Sequence, residues 1–87
     1  MKYRKKPVVI EAFQFLGTTN LYKYTPDWFI EASLVDKVHA RSNCLIIKTL
    51  EGTHRADVGD WIIQGVKGEL YPCKPEIFEL TYSAEED

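Results

Sequence analysis

Two groups of side chains in this sequence have the types and spacing to do chemistry. Between Glu51 and Asp60 stand His54, Arg55, Asp57 and Asp60, the densest run of titratable groups in the chain. An imidazole with carboxylate neighbours can act as a general base near neutral pH. No Ser or Cys stands beside His54 in a nucleophile motif and no second acid–base pair is identifiable, so the rest of a catalytic set is missing. A structural role competes for Asp60, because an Asp following Gly59 can accept hydrogen bonds from backbone N–H groups and set a turn. The second group is aromatic and cationic: Tyr22, Tyr24, Trp28, Trp61 and Tyr71, with Lys23, Lys48, Lys67 and Lys74 near them in sequence. Ring faces for stacking and ammonium donors for charge-assisted contacts are what a pocket for a planar anion such as a nucleotide requires. Core packing competes for the two tryptophans. Together the groups define six candidate ligand-binding residues, Tyr24, His54, Arg55, Trp61, Tyr71 and Lys74, and no catalytic residue.

His39, Cys44, His54 and Cys73 form the one metal-like set, but they contain no CxxC or HxxxH pair that would put two ligands on one turn. No metal and no cofactor is expected. Small secreted domains that depend on disulfides usually carry more than two cysteines, so Cys44 and Cys73 read as reduced, structural thiols. Lys2, Arg4, Lys5 and Lys6 supply four of the 11 basic residues, which raises the question of phosphate binding. Against a net charge of −2, and with no RNA-binding motif of the ribonucleoprotein type, a solvated arm is the expectation and nucleic acid is not an expected partner.

The elements that must position these residues belong to one small domain. Eighty-seven residues leave no room for a second core, and 45% hydrophobic with 28% charged residues is a folded rather than a disordered composition. Aromatic rings at 13% compensate for the small size, since each buries about 150–250 Å². The domain is expected over residues 1–87, with a basic arm at 1–6 and an acidic tail at 83–87. No apolar run approaches the roughly 20 residues that span a bilayer, and the basic start runs into Pro7 rather than a signal-peptide core. A cytosolic location without membrane contact is therefore expected.

Pro7 to Leu16 (PVVIEAFQFL) is rich in β-branched and aromatic residues and predicts a strand, with apolar residues on both faces that imply a central position. Glu11 would then need a partner. Thr25-Pro26-Asp27 is a helix-start signal, and Trp28, Phe29, Ala32 and Val35 recur at helical spacing, so a helix is expected from Pro26 to Lys37. From Val38 the period becomes two: strands are predicted at Val38–Arg41, Cys44–Leu50, Thr53–Ala56, Trp61–Gln64 and Glu69–Cys73, separated by turns. Pro72 confines the last of these to a sheet edge. Lys74 to Tyr82 reads as a helical turn passing into a short strand. The fold class is α+β, a small antiparallel sheet or partly open barrel of five to six strands with one main helix packed on it.

The segments Tyr3-Arg4-Lys5-Lys6-Pro7-Val8-Val9-Ile10-Glu11-Ala12, Gly59-Asp60-Trp61-Ile62, Gly65-Val66, and Tyr71 with Lys74-Pro75-Glu76-Ile77-Phe78 resemble small uncharacterised proteins of tailed phages and prophages. The likeness covers both ends of the chain. More distantly, the chain is similar to the family with a Pro-Gly-Asp-Tyr-Gly motif: Gly59 and Asp60 match, Trp61 stands for the Tyr, and Val58 and Ile62 replace the outer Pro and Gly. The resemblance carries no activity and no catalytic residue. It implies an accessory phage protein in the bacterial cytoplasm, acting by binding and countering a host process such as defence, with sequestration of a small anionic nucleotide-derived signal as the specific form. The alternative is a module that binds and inhibits a host or phage protein; a small enzyme ranks third. A homo-oligomer is expected, since paired subunits let so short a chain enclose a ligand.

Overall fold

The computed structural model describes residues 1–4, 6–19 and 21–84. Lys5 of the basic arm and Glu85, Glu86 and Asp87 of the acidic tail lie outside the described residues. The chain is a small α+β protein. In order it forms β1 (Glu11–Gln14), α1 (Asp27–Leu34), β2 (Val38–Arg41), β3 (Cys44–Thr49), β4 (Gly52–Asp57), β5 (Trp61–Gln64), β6 (Leu70–Cys73) and α2 (Pro75–Thr81), with a 3-10 turn at Leu21–Lys23. The strands make two antiparallel three-stranded sheets, β1-β5-β6 and β2-β3-β4. Among the described residues, no helix is long and apolar enough to cross a membrane.

Alternation builds the core. In β3, Leu45 and Ile47 fall on one face, and the register sets Val38 beside Ile47 and Ala56 beside Leu45, so four apolar residues of three strands meet on that face. They pack with Phe15, Phe29, Ala32, Ile62 and Leu70, and with the rings of Phe13 and Trp28. Phe13 meets Phe29 edge-on, with centroids 4.9 Å apart. The other sheet is covered on both faces, because Ile62 and Ile63, neighbours in β5, are both fully buried. Ile62 joins the main core, while the opposite face carries Trp61, whose ring stacks on Phe78 of α2 at 4.1 Å and 1°. Phe78 in turn lies 5.1 Å from Tyr82.

Four expectations are corrected. The first strand pairs over Glu11–Gln14 only and stands at a sheet edge, beside β5 alone; Glu11 is exposed and needs no partner. The helix expected from Pro26 to Lys37 ends at Leu34, because Asp36 adopts a left-handed φ of 66° and the N–H groups of Asp36 and Lys37 return to the carbonyls of Ser33 and Ala32. At its start Pro26 is the cap residue, and the Thr25 hydroxyl is buried without a hydrogen-bond partner among the described residues. The segment after Lys74 is helical through Thr81 rather than a turn passing into a strand, with Phe78 stacked on Trp61 and Tyr82, at the helix end, 5.1 Å from Phe78.

Candidate functional site

An open groove of about 640 Å³ lies where the β3–β4 turn faces β6. One wall is Lys37, Lys48, Thr49, Leu50, Glu51 and His54; the other is Gly68, Glu69, Leu70, Tyr71 and Pro72. Sheet pairing brings the two lysines together: the β2–β3 ladder continues one step past Val38–Ile47, with the Lys48 N–H donating to the Lys37 carbonyl at 2.9 Å. The β3–β4 ladder sets His54 opposite Ile47. Lys48 shares its charge with Asp36 at 3.0 Å, and the other Asp36 oxygen lies 2.8 Å from His39 Nε2. The Lys48 ammonium, and secondarily the charge on His39, hold the Asp36 carboxyl below its ordinary range. Lys37 has no acidic partner among the described residues. Of the two acids on the walls, Glu69 folds back over its own turn, against Gly65 and toward the Lys67 N–H.

Tyr71 is half-buried, and burial, followed by its hydrogen bond with Tyr82, pushes its phenol up to about 12. At neutral pH it is a hydrogen-bond donor beside an apolar wall of Leu70 and Pro72. Cys73, next but one, is pushed up by burial and then by the charges of Asp60 and Glu76, so it stays a thiol rather than a thiolate nucleophile.

Of the six candidate residues, the groove gathers His54 and Tyr71. Arg55 and Lys74 are elsewhere: Arg55 Nε lies 2.8 Å from Asp57 Oδ1, and Lys74 Nζ lies 3.0 Å from Asp60 Oδ2 and 3.7 Å from Asp57 Oδ2. The hydrogen bond from Arg55 lowers the Asp57 carboxyl, and its bond to Asp60 raises the Lys74 ammonium. Asp60 has the structural role that competed for it: buried at 4% exposure, it accepts the Asp57 N–H at 2.9 Å and closes the turn in which Gly59 takes a φ of 98°. Trp61 is occupied by its stack with Phe78, and Tyr24 is exposed on the far segment before α1, with Lys23 over its ring at 5.5 Å. Sequence spacing missed Lys37, Leu50 and Leu70 as wall residues. The signal that could have found Lys37 was the hairpin itself, since a two-residue turn at Ser42-Asn43 fixes Lys37 opposite Lys48.

The metal-like set does not assemble: among the described residues, no three His, Cys, Asp or Glu side chains come together as metal ligands. Cys44 is buried, and both cysteines are unbridged. His54 makes no hydrogen bond with a carboxylate among the described residues; the imidazole that has one is His39, which is not on the groove walls. Compared with known proteins, the chain matches no family model, no curated protein and no solved structure.

Proposed function

We propose that this chain is a binding protein without a chemical step, which takes a small nucleotide-like anion into the groove between the β3–β4 turn and β6. The observation that carries this reading is a groove lined by Lys37, Lys48 and His54 on one side and by Leu70, Tyr71 and Pro72 on the other. The volume lies inside the range of roughly 300–1,000 Å³ typical of small-molecule sites. Cationic donors across from an aromatic and apolar wall fit a ligand with a charged end and a planar body. The protonated Cys73 thiol, and a His54 that has no carboxylate partner among the described residues, support binding over catalysis. The resemblance to tailed-phage proteins supports an activity in the bacterial cytoplasm against a host process such as defence, by withholding a nucleotide-derived signal.

The test is titration of the purified protein, by calorimetry or thermal shift, with nucleoside di- and triphosphates, cyclic dinucleotides and inorganic phosphate. Binding of one nucleotide class, with the ligand recovered unaltered after denaturation, is the expected result. Lys37→Glu should weaken it at least about tenfold, as expected for turning an attractive charge into a repulsive one in a partly enclosed site. Altered ligand would instead make the chain an enzyme, and no uptake across the panel would overturn the reading. One observation favours the alternative of a protein-binding module: Leu50 is fully exposed at the rim of the groove, beside the open edge strand β4. Absence of nucleotide binding, together with loss of a captured protein partner in Leu50→Glu, would choose it.

A further inference from the structure

We infer that the first strand is completed by a second copy of this chain, through antiparallel pairing of residues 7–11 about a two-fold axis normal to the sheet. Pro7 to Leu16 has strand composition throughout, yet among the described residues only Glu11–Gln14 pair in a ladder. The segment before Glu11 runs on without a ladder partner among the described residues, lying beside the end of α2 with its outer backbone edge free. Its apolar side chains are left in water, with Val8 48% and Val9 71% exposed. The alternation of a strand is nevertheless maintained. Val8 and Ile10 have the parity of Ala12, on the α2 side of the sheet, and line a cavity of about 520 Å³ with Tyr71, Thr81 and Tyr82. An open, apolar edge with unpaired backbone groups is a template for another strand.

The occupant is decided by symmetry and sequence. A two-fold axis normal to a sheet must pair each residue with one of the same parity, because neighbours alternate faces and the axis preserves the face. With the axis at Val9, Val9 faces Val9 of the second copy and Val8 faces Ile10 of the second copy, so the three apolar residues Val8, Val9 and Ile10 meet apolar partners, while Pro7 and Glu11 pair at the ends. Moving the axis by one residue sets Lys6 against Ile10, or Glu11 against Val9. Each protomer's sheet would then continue into the other as β6-β5-β1-β1-β5-β6. Isologous contacts of this kind close on themselves, which prevents the same edge from propagating a fibre. None of the pairing residues 7–11 lines the groove, although Tyr71 borders both the groove and the cavity under Val8 and Ile10, so the failure of the pairing and that of the binding proposal are distinguishable.

Light scattering with size exclusion and sedimentation equilibrium test it on the full chain. The expected mass is twice the 10.1 kDa of one chain at micromolar concentration. Val9→Lys, which sets two like charges face to face, should return the mass to that of one chain with unchanged circular dichroism. Val9→Cys should form a covalent dimer under mild oxidation, whereas Leu16→Cys, also exposed but away from the axis, should not. A wild-type monomer, or a dimer that survives Val9→Lys, would overturn the proposal. Should Val9→Lys fail to fold, the contrast between the two cysteine variants decides alone.

Discussion

Replacing Asp60 with alanine should destabilise the protein through one turn. The carboxylate is buried, and its Oδ2 accepts the Asp57 N–H at 2.9 Å and meets Lys74 Nζ at 3.0 Å. In Asp60→Ala the Asp57 N–H, in a half-buried turn, loses its acceptor, which costs about 1–3 kcal/mol. Lys74 contributes little to that figure: its side chain is half exposed and retains water and Asp57. Against a total stability on the order of 4–13 kcal/mol for a chain of this size, the loss is substantial. At about 4–8 °C per kcal/mol, the melting temperature should fall by roughly 10 °C. Asp60→Asn retains a carbonyl oxygen for the same N–H while removing the charge, so its fall should be less than half as large. Lys74→Met, which leaves the buried Asp60 carboxylate without its ammonium partner, should also lower the melting temperature. Thermal unfolding followed by far-ultraviolet circular dichroism gives the three values, and tryptophan fluorescence reports whether Trp61 keeps its place against α2. Equal losses in Asp60→Asn and Asp60→Ala would refute the reasoning, because the charge pair and not the turn bond would then dominate.

Two further outcomes follow from burial. The Tyr71 phenol is pushed up to about 12 by burial and by Tyr82, so above the ordinary tyrosine value of about 10 the folded chain retains a proton that the unfolded chain loses. Its contribution to stability is whole below pH about 10 and is lost as the pH rises toward 12; alkaline absorbance titration should show one late tyrosine, missing in Tyr71→Phe, and identical curves would refute the assignment. Phe29 is fully buried against Phe13 and Tyr22, and Phe29→Ala should cost about 3–5 kcal/mol, lowering the melting temperature by at least about 12 °C. A loss below about 1 kcal/mol would mean that the ring is not central to the core.

The strands from Val38 onward were legible because each had both a period and a partner at hand. Cys44–Thr49 alternates between two neighbours joined to it by short turns, so pattern and register agree. Residues 7–10 have the same propensity without a partner, and propensity measures fit to a covered pleated surface rather than a backbone preference. The end of α1 was misread for a related reason: Leu34 and Val35 extend the apolar arc yet are 80% and 64% exposed, and the stop is set by Asp36 taking a left-handed conformation usually given to Gly or Asn. Phe78 and Tyr82, four apart, share a face in either period; in the helix that forms, Leu80 turns away and is 89% exposed while Phe78 stacks on Trp61. At the candidate site, spacing found His54 and Tyr71 but could not show that Trp61 was committed to Phe78 of α2 and Lys74 to Asp60.

The contrast between the two charged clusters explains why density along the chain was a poor guide to a binding site. Arg55, Asp57, Asp60 and Lys74 are two cations and two anions within ion-pair distance of one another, so their fields cancel and no group is left to attract a ligand. The groove is sparser but less balanced. Lys48 shares its charge with Asp36 and Glu69 is turned to its own turn, so whether the proposed site prefers an anion depends on the balance of Lys37 and Glu51. In so open a site each charge is screened over about 8 Å at physiological salt, and charge alone gives little affinity. The rest must come from area buried on Tyr71, Leu70 and Pro72, which inorganic phosphate cannot supply. Phosphate binding as tightly as a nucleotide would therefore contradict the groove as the site, even if Lys37→Glu abolished both.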